Sequence, residues 1–159
     1  MEEEVILQEL KECTRMFHEQ ITQDAIRLLM NDNLGLLGLY ITNHEGNERI
    51  ELSPILIAEE ATYLNIYPIK YAIIISCHEL GHAKDAKFKY REMEAFRLKN
   101  VDTLQAKKRI IKLKIQNEIA AWKMAHTFCP YQEELKYAAR LHLKQCIRDW
   151  LLKGKSPWL

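Results

Sequence analysis

The sequence lacks the features that mark membrane and secreted proteins. No apolar run approaches 18 residues, so no segment is long enough to span a bilayer as a helix. The opening residues, MEEEV, are acidic where a secretory signal peptide is basic. The four cysteines stand far apart and form no C-x-x-C pair, which is typical of free thiols rather than of disulfides or a zinc knot. We therefore expect a cytoplasmic protein that has no membrane partner.

Repeats, low-complexity tracts and linker-like segments are also missing. The hydrophobic content of 48% and the charged content of 28% are those of an ordinary globular protein. A chain of 159 residues is long enough to bury a substantial core. The sequence therefore predicts a single domain over residues 1–159.

The net charge of +1 hides an uneven distribution of charge. Residues 1–60 carry 13 acidic and 4 basic side chains, whereas residues 84–114 carry 11 basic and 4 acidic ones. A basic segment can attract nucleic acid or an acidic protein partner, although a solvated helix face explains it as well. We expect an acidic substrate or partner and no nucleic acid.

A pattern with a recognised chemistry lies in the middle of the chain, in the stretch AIIISCHELGHAKD (72–85). His78, Glu79 and His82 form an H-E-x-x-H pattern, and residues four apart on a helix lie on one face. Two such imidazoles can share one zinc ion. Glu79 is rotated by about 100° from His78, which suits a general base that takes a proton from water better than a ligand. The competing interpretation is a pair of core histidines beside a salt-bridged Glu79.

The first part of the chain predicts one long helix and a hairpin. Residues 2–30 repeat apolar side chains every three to four positions, as an amphipathic helix does. Residues 36–42, a turn with Gly and Asn at 43–47, and residues 49–52 are typical of a β-hairpin. We therefore expect a small antiparallel sheet beside the H-E-x-x-H helix.

Four helices with recognisable ends and one charged segment complete the chain, and the second of these helices carries the H-E-x-x-H pattern. Caps and prolines mark the helix starts. The first two helices are expected to start at Ser53-Pro54 and at Pro68. The third starts at Asp102 or Thr103 and is ended or followed by Pro130. The last helix covers about 132–152, with Gly154 as its cap. The charged residues after Asp85 and up to Asn100 show no clear period, and they suit a lid, a wall of a substrate groove or a connector.

A catalytic zinc site uses three protein ligands, so a third donor must come from another part of the chain. Glu118 is the strongest candidate because its helical neighbours one turn on, Ala121 and Trp122, are apolar and turn its carboxylate inward. A buried carboxylate costs several kcal/mol unless it is paired or bound to a metal. A ligand role would explain why the chain carries Glu118 at this position.

Five other side chains compete with Glu118 for this role. Asp85 lies on the same helical face as the two motif histidines, and we favour it as a partner of a ligand histidine or as the helix end. Nothing in the sequence fixes the direction of Glu92 or Glu94. His126 and His142 are weaker candidates because a lone helical histidine is more often a packed or surface residue.

The order of hairpin, short helix, HELGH helix and a helix reading E-x-x-A-x-x-x-A before a proline resembles the ImmA/IrrE-type zinc metallopeptidases. The resemblance covers about residues 36–130, and its second signature consists of Glu118, Ala121, Ala125 and Pro130. The chain departs from the family pattern in two ways. Trp122 stands where Asn or Asp is common, and a His common shortly after H-E-x-x-H is absent.

The resemblance implies a zincin-like fold, one Zn²⁺ held by His78, His82 and Glu118, and Glu79 as the general base. It also implies a protein or peptide substrate, which in some relatives is a transcriptional repressor. The sequence thus predicts an α+β, predominantly helical, zinc-dependent metallopeptidase. The alternative is a non-enzymatic zinc-stabilised binding module or a metallopeptidase-like scaffold.

Overall fold

The computed structural model describes residues 2–23, 25–43 and 45–153. These residues form a predominantly helical α+β fold with one small mixed sheet, and the helical content confirms the prediction. In chain order the elements are α1 (Glu2–Thr22), β1 (Arg27–Met30), β2 (Gly38–Thr42), β3 (Glu48–Leu52), α2 (Pro54–Leu64), α3 (Pro68–Lys84), α4 (Phe88–Leu98), α5 (Leu104–Ala125) and α6 (Gln132–Lys153).

Helix α3 is the centre of the fold. Every residue from 71 to 82 is buried, and the helix contacts α1, α2, α5 and α6 as well as strands β2 and β3. A helix that is apolar on all sides has to be surrounded in this way, because each face would otherwise expose apolar surface to water. The H-E-x-x-H pattern therefore lies on a buried helix, as the sequence predicts.

The sheet has the order β1-β3-β2, in which β2 and β3 form the expected hairpin. The prediction of one helix over residues 2–30 is wrong in its last part. Helix α1 ends at Thr22, Gln23 takes a left-handed backbone conformation with φ 49°, and Arg27–Met30 pairs with β3 in parallel. The sheet is therefore mixed, and the expectation of a purely antiparallel sheet is wrong.

Strand β2 is an edge strand of this sheet, and its free side can be identified from the pairing. Leu37 lies opposite Ser53 in the strand register, and the amide of Ser53 donates to the carbonyl of Leu37, so these two residues form a hydrogen-bonded pair. Bonded and non-bonded pairs alternate along an antiparallel ladder. The backbone groups of Gly38, Tyr40 and Thr42 consequently point away from β3.

The predicted helix starts are confirmed, two of them by side-chain capping contacts. The Ser53 hydroxyl, directly before Pro54, accepts a hydrogen bond from the amide of Leu56. The Thr103 hydroxyl accepts one from the amide of Ala106. Pro68 occupies the first turn of α3. The predicted cap at Gly154 and the tail beyond it lie outside the described residues.

The charged segment that showed no clear period folds as α4 and packs on α5. Arg109 pairs with Glu94 at 2.7 Å, Lys114 pairs with Glu92 at 2.7 Å, and Ala95 packs on α5 in a small apolar cluster. Several of the basic side chains between residues 84 and 114 are therefore paired with neighbouring carboxylates. Further pairs of this kind are Arg91 with Asp85, Lys107 with Asp102 and Lys89 with Glu48.

All four cysteines are free, as expected. Among the described helices, none combines the length and the apolar content that a membrane-spanning helix requires.

Helices α3 and α5 touch at Gly81 and Ala121. A Cβ atom on Gly81 would lie 2.9 Å from the Cα of Ala121 and closer still to the carbonyl oxygen of Ala121. Only a glycine allows this approach, because the obstacle is backbone rather than a movable side chain. Gly81 precedes His82, and Ala121 lies one turn after Glu118, so the contact sets the spacing between these two side chains.

We expect Gly81→Ala to lower the free energy of unfolding by about 1–3 kcal/mol or more, through overpacking against α5. The loss should occur although alanine favours helices over glycine by about 1 kcal/mol. Urea denaturation measures the change. Ser76→Ala is the matched control on the same helix, because it only removes a buried hydroxyl that has no hydrogen-bond partner within residues 2–23, 25–43 and 45–153. A Gly81→Ala protein as stable as the parent would contradict the expectation.

Candidate metal centre

The carboxylate of Glu118 lies between the two histidines of the H-E-x-x-H pattern. Its Oε2 is 3.2 Å from His78 Nε2, and its Oε1 is 3.5 Å from His82 Nε2. The two histidines lie one turn apart on α3, and their ring centroids are 4.7 Å apart. The structure thus brings together the three residues that the sequence analysis proposes as ligands.

A fourth side chain, His142 of α6, joins this group. Its Nδ1 lies 3.6 Å from Glu118 Oε2, and its ring meets that of His78 edge to face at 5.4 Å. Ligand atoms of His78, Glu118 and His142 all lie within 4.8 Å of one another, so this group could hold a metal ion.

From the sequence alone, His142 is one of the weaker candidates for the third ligand. A signal for it was nevertheless present, because Leu135 and Ala138 precede His142 on the predicted last helix at the spacing of one face. Leu135 and Ala138 are both buried. His142 therefore continues a buried face, and its direction could have been inferred from these neighbours.

The imidazoles of this group are held in the neutral form. Burial lowers the pKa of His78 to about 3. Burial, assisted by neighbouring His78, lowers the pKa of His82 to about 3 and that of His142 to about 4. Neutral imidazole is the form that offers a nitrogen lone pair to a metal ion.

Three buried atoms of the group have no hydrogen-bond partner among the described residues: Nδ1 of His78, Nδ1 of His82 and Oε2 of Glu118. A buried carboxylate oxygen without a partner costs free energy, and a bound cation would remove that cost. The donor set of imidazole nitrogens and one carboxylate is also the set that zinc prefers. The residues present therefore fit a zinc ion.

Trp122 orients the histidines by contacts that differ from the usual ones. A ligand histidine ordinarily donates its second N–H to a carboxylate or carbonyl. Here the indole stacks on His78 at a centroid distance of 4.2 Å, and its Nε1–H donates to His142 Nδ1 at 3.2 Å. Trp122, one of the departures from the family pattern, is thus part of the site.

Glu79 lies beside this group and faces the edge of the sheet. Its Oε1 is 4.0 Å from His78 Nε2, and the backbone N–H of Tyr40 hydrogen-bonds its carboxylate. Burial and the nearby charge of Glu118 raise the pKa of Glu79 to about 8. A Cβ on Gly38 would lie 2.9 Å from the Glu79 carboxylate, so the glycine allows β2 to come this close.

A broad cleft of about 1430 Å³ opens onto these residues. Strand β2, helix α2 and helices α4, α5 and α6 line it, and the four candidate side chains and Glu79 share its wall. Segment 84–100 contributes Phe88, Ala95 and Phe96 to this lining. Of the three roles that the sequence allows for this segment, a lid, a groove wall or a connector, this placement agrees with the groove wall. Phe88 also packs against the ring of His82, with their centroids 5.0 Å apart.

The other candidate ligands have partners away from the group. Asp85 ends α3 and pairs with Arg91, which agrees with the helix-end alternative. Side-chain contacts engage the remaining three. Glu92 bonds Lys114 and Asn117, Glu94 bonds Arg109, and His126 bonds Gln132.

Comparisons of the chain with protein-family models, with curated proteins and with solved structures find no match. The assignment of a function therefore depends on the geometry of the candidate metal centre and its surroundings.

Proposed function

We propose that this protein is a zinc-dependent metallopeptidase with a zincin-like fold, of the ImmA/IrrE type, that hydrolyses peptide bonds of a protein substrate. The observation that carries the proposal is the Glu118 carboxylate, which lies 3.2 Å and 3.5 Å from the Nε2 atoms of His78 and His82. Its Oε2 is buried without a hydrogen-bond partner among the described residues. His78, His82 and Glu118 would hold the zinc ion.

Zinc bound at such a centre polarises a carbonyl and lowers the pKa of water from 15.7 to about 7. The chain's own contribution to the reaction is the general base. Glu79 would take a proton from the attacking water and pass it to the leaving amine. Its position supports this role, because the Tyr40 amide holds its carboxylate at the cleft beside the candidate ligands.

The free edge of β2 supports an extended peptide as the substrate. Gly38 and Thr42 direct backbone groups away from β3, and β2 lines the cleft beside Glu79. An added strand could pair with these groups, as in other proteins that bind peptides at a sheet edge. Such pairing would hold the scissile bond near Glu79.

One observation favours the alternative, a non-enzymatic zinc-stabilised module. His142 brings a fourth donor to within 3.6 Å of Glu118. Structural zinc sites are closed by four protein ligands, whereas catalytic sites keep one position open. If His142 took that position, zinc would stabilise the fold without supporting hydrolysis.

We expect the purified chain to bind about one zinc ion and to cleave a library of internally quenched peptides. Removal of zinc with a chelator should abolish cleavage, and added zinc should restore it. Elemental analysis and fluorescence measure the two quantities. Zinc binding without cleavage of any peptide would favour the non-enzymatic module, and a protein that binds no zinc would exclude both.

A further inference from the structure

The hydrogen bond between Trp122 and His142 fixes which nitrogen of His142 carries the proton. The indole Nε1–H can only donate, so the His142 Nδ1 at 3.2 Å must accept with its lone pair. A neutral imidazole with an unprotonated Nδ1 carries its proton on Nε2. His142 therefore presents an N–H group at Nε2, while its Nδ1 lone pair accepts from the indole.

This N–H group is weakly engaged and belongs to a side chain that reaches the cleft. The His142 side chain is 35% exposed and lines the same cleft as Glu79. The contact recorded at its Nε2 is with Cys146 Sγ at 3.7 Å, and a thiol sulfur is a weak acceptor. Two other donors that line the cleft have strong acceptors, because the Tyr40 hydroxyl donates to Glu48 at 2.7 Å and the Asn117 amide donates to Glu92 at 2.6 Å.

Peptide hydrolysis places negative charge on the carbonyl oxygen of the bond under attack. A fixed donor aimed at that oxygen stabilises the transition state more than the ground state. We propose that His142 is a catalytic residue that donates a hydrogen bond from Nε2–H to this oxygen, and that Trp122 is the positioning residue that fixes its tautomer. The proposal rests on the peptidase function proposed above.

The first test replaces His142 in the zinc-loaded full chain, with a quenched peptide that the parent cleaves. His142→Ala should lower kcat by about 10²–10³-fold with little change in KM, as the loss of one oxyanion donor does elsewhere. His142→Gln should recover part of the loss, because its amide can donate from a similar position. Zinc affinity, measured by competition with a chelator, should equal that of the parent in both variants.

The second test concerns Trp122 and does not depend on activity. In ¹⁵N-histidine NMR of the zinc-loaded parent, His142 should show the Nε2–H tautomer. Trp122→Phe keeps an aromatic ring beside His78 but removes the donor, so His142 should become a mixture of tautomers. Its kcat should fall between those of the parent and His142→Ala. A residue with a packing role alone would leave the tautomer unchanged.

Several results would overturn the proposal. A large loss of zinc affinity in His142→Ala, or a protonated Nδ1 in the parent, would make His142 a ligand or a differently bonded residue. A parent and a His142→Ala variant that cleave equally would remove the role of His142 and leave the peptidase intact. A parent that binds zinc but cleaves no peptide would end both proposals.

Discussion

Glu79→Gln should lower peptide cleavage by about 10²–10⁴-fold, which corresponds to about 3–5 kcal/mol of barrier. Glutamine keeps the shape of the side chain and can still accept the Tyr40 amide, but it cannot take up a proton at working pH. Zinc content should stay at the parent level, because Glu79 faces the cleft beside the ligands rather than acting as one of them. Turnover of a quenched peptide and elemental analysis measure the two effects.

The stability of the metal-free Glu79→Gln protein provides a separate check. The pKa of Glu79 is about 8 in the folded protein and 4.5 in the unfolded chain. Between these pH values the unfolded chain loses this proton more readily, so the free energy of unfolding falls as the pH rises. The substitution removes that cost, and the melting temperature at pH 7 should be unchanged or higher. Glu133→Gln, which alters an exposed carboxylate at the start of α6 that does not line the cleft, is the control and should keep full activity. A Glu79→Gln variant that cleaves like the parent would end the proposed mechanism, and one that unfolds would favour a structural salt bridge.

Replacement of a proposed ligand should have the second large effect. We expect His78→Ala, His82→Ala and Glu118→Ala each to weaken zinc binding at least about 100-fold, or about 2.7 kcal/mol. The reason is that even residues that only orient a ligand contribute 10–100-fold to metal affinity. Competition with a chelator of known affinity measures the loss. Asp85→Asn should retain zinc, since Asp85 pairs with Arg91 at the end of α3.

Glu118→Gln separates a ligand from a purely structural carboxylate. In the metal-free protein the charge of Glu118 helps to raise the pKa of Glu79 and so disfavours the ionisation of Glu79. Neutralising Glu118 should therefore leave the metal-free protein as stable as the parent or more so. Added zinc should stabilise the parent by about 2.7 kcal/mol at 100 times its dissociation constant, and the variant far less. Equal stabilisation of both proteins, or loss of zinc only in Asp85→Asn, would refute Glu118 as the third ligand.

The parts of the fold that local patterns describe were predictable from the sequence. The H-E-x-x-H helix, the hairpin and the starts at Ser53, Pro68 and Thr103 depend on contacts within a few residues. The end of α1 could not be predicted from the sequence. Leu28 continues the helical spacing, although residues 27–30 form a strand that pairs with β3. Short apolar segments fit either period, and only the strand partner decides between them.

The candidate metal centre was predictable in part for the same reason. His78 and His82 are related by one helical turn, and the apolar neighbours of Glu118 indicate its direction. Helix α4 and His142 depend instead on distant partners. Ion pairs with α5 hold α4, and the packing of α6 brings His142 to Glu118. Neither arrangement leaves a periodic signal that identifies the partner.

The free edge of β2 has a consequence for selectivity. Backbone amides and carbonyls are the same in every peptide, so pairing along Gly38 and Thr42 would give affinity without distinguishing one sequence from another. Discrimination between substrates would have to come from the side chains of the cleft walls. Those walls differ in chemistry: Glu59 and Glu60 lie on α2, whereas Lys144 and Arg148 lie on α6. The carboxylates of α2 would therefore favour basic side chains of the substrate, and the cations of α6 would favour acidic ones.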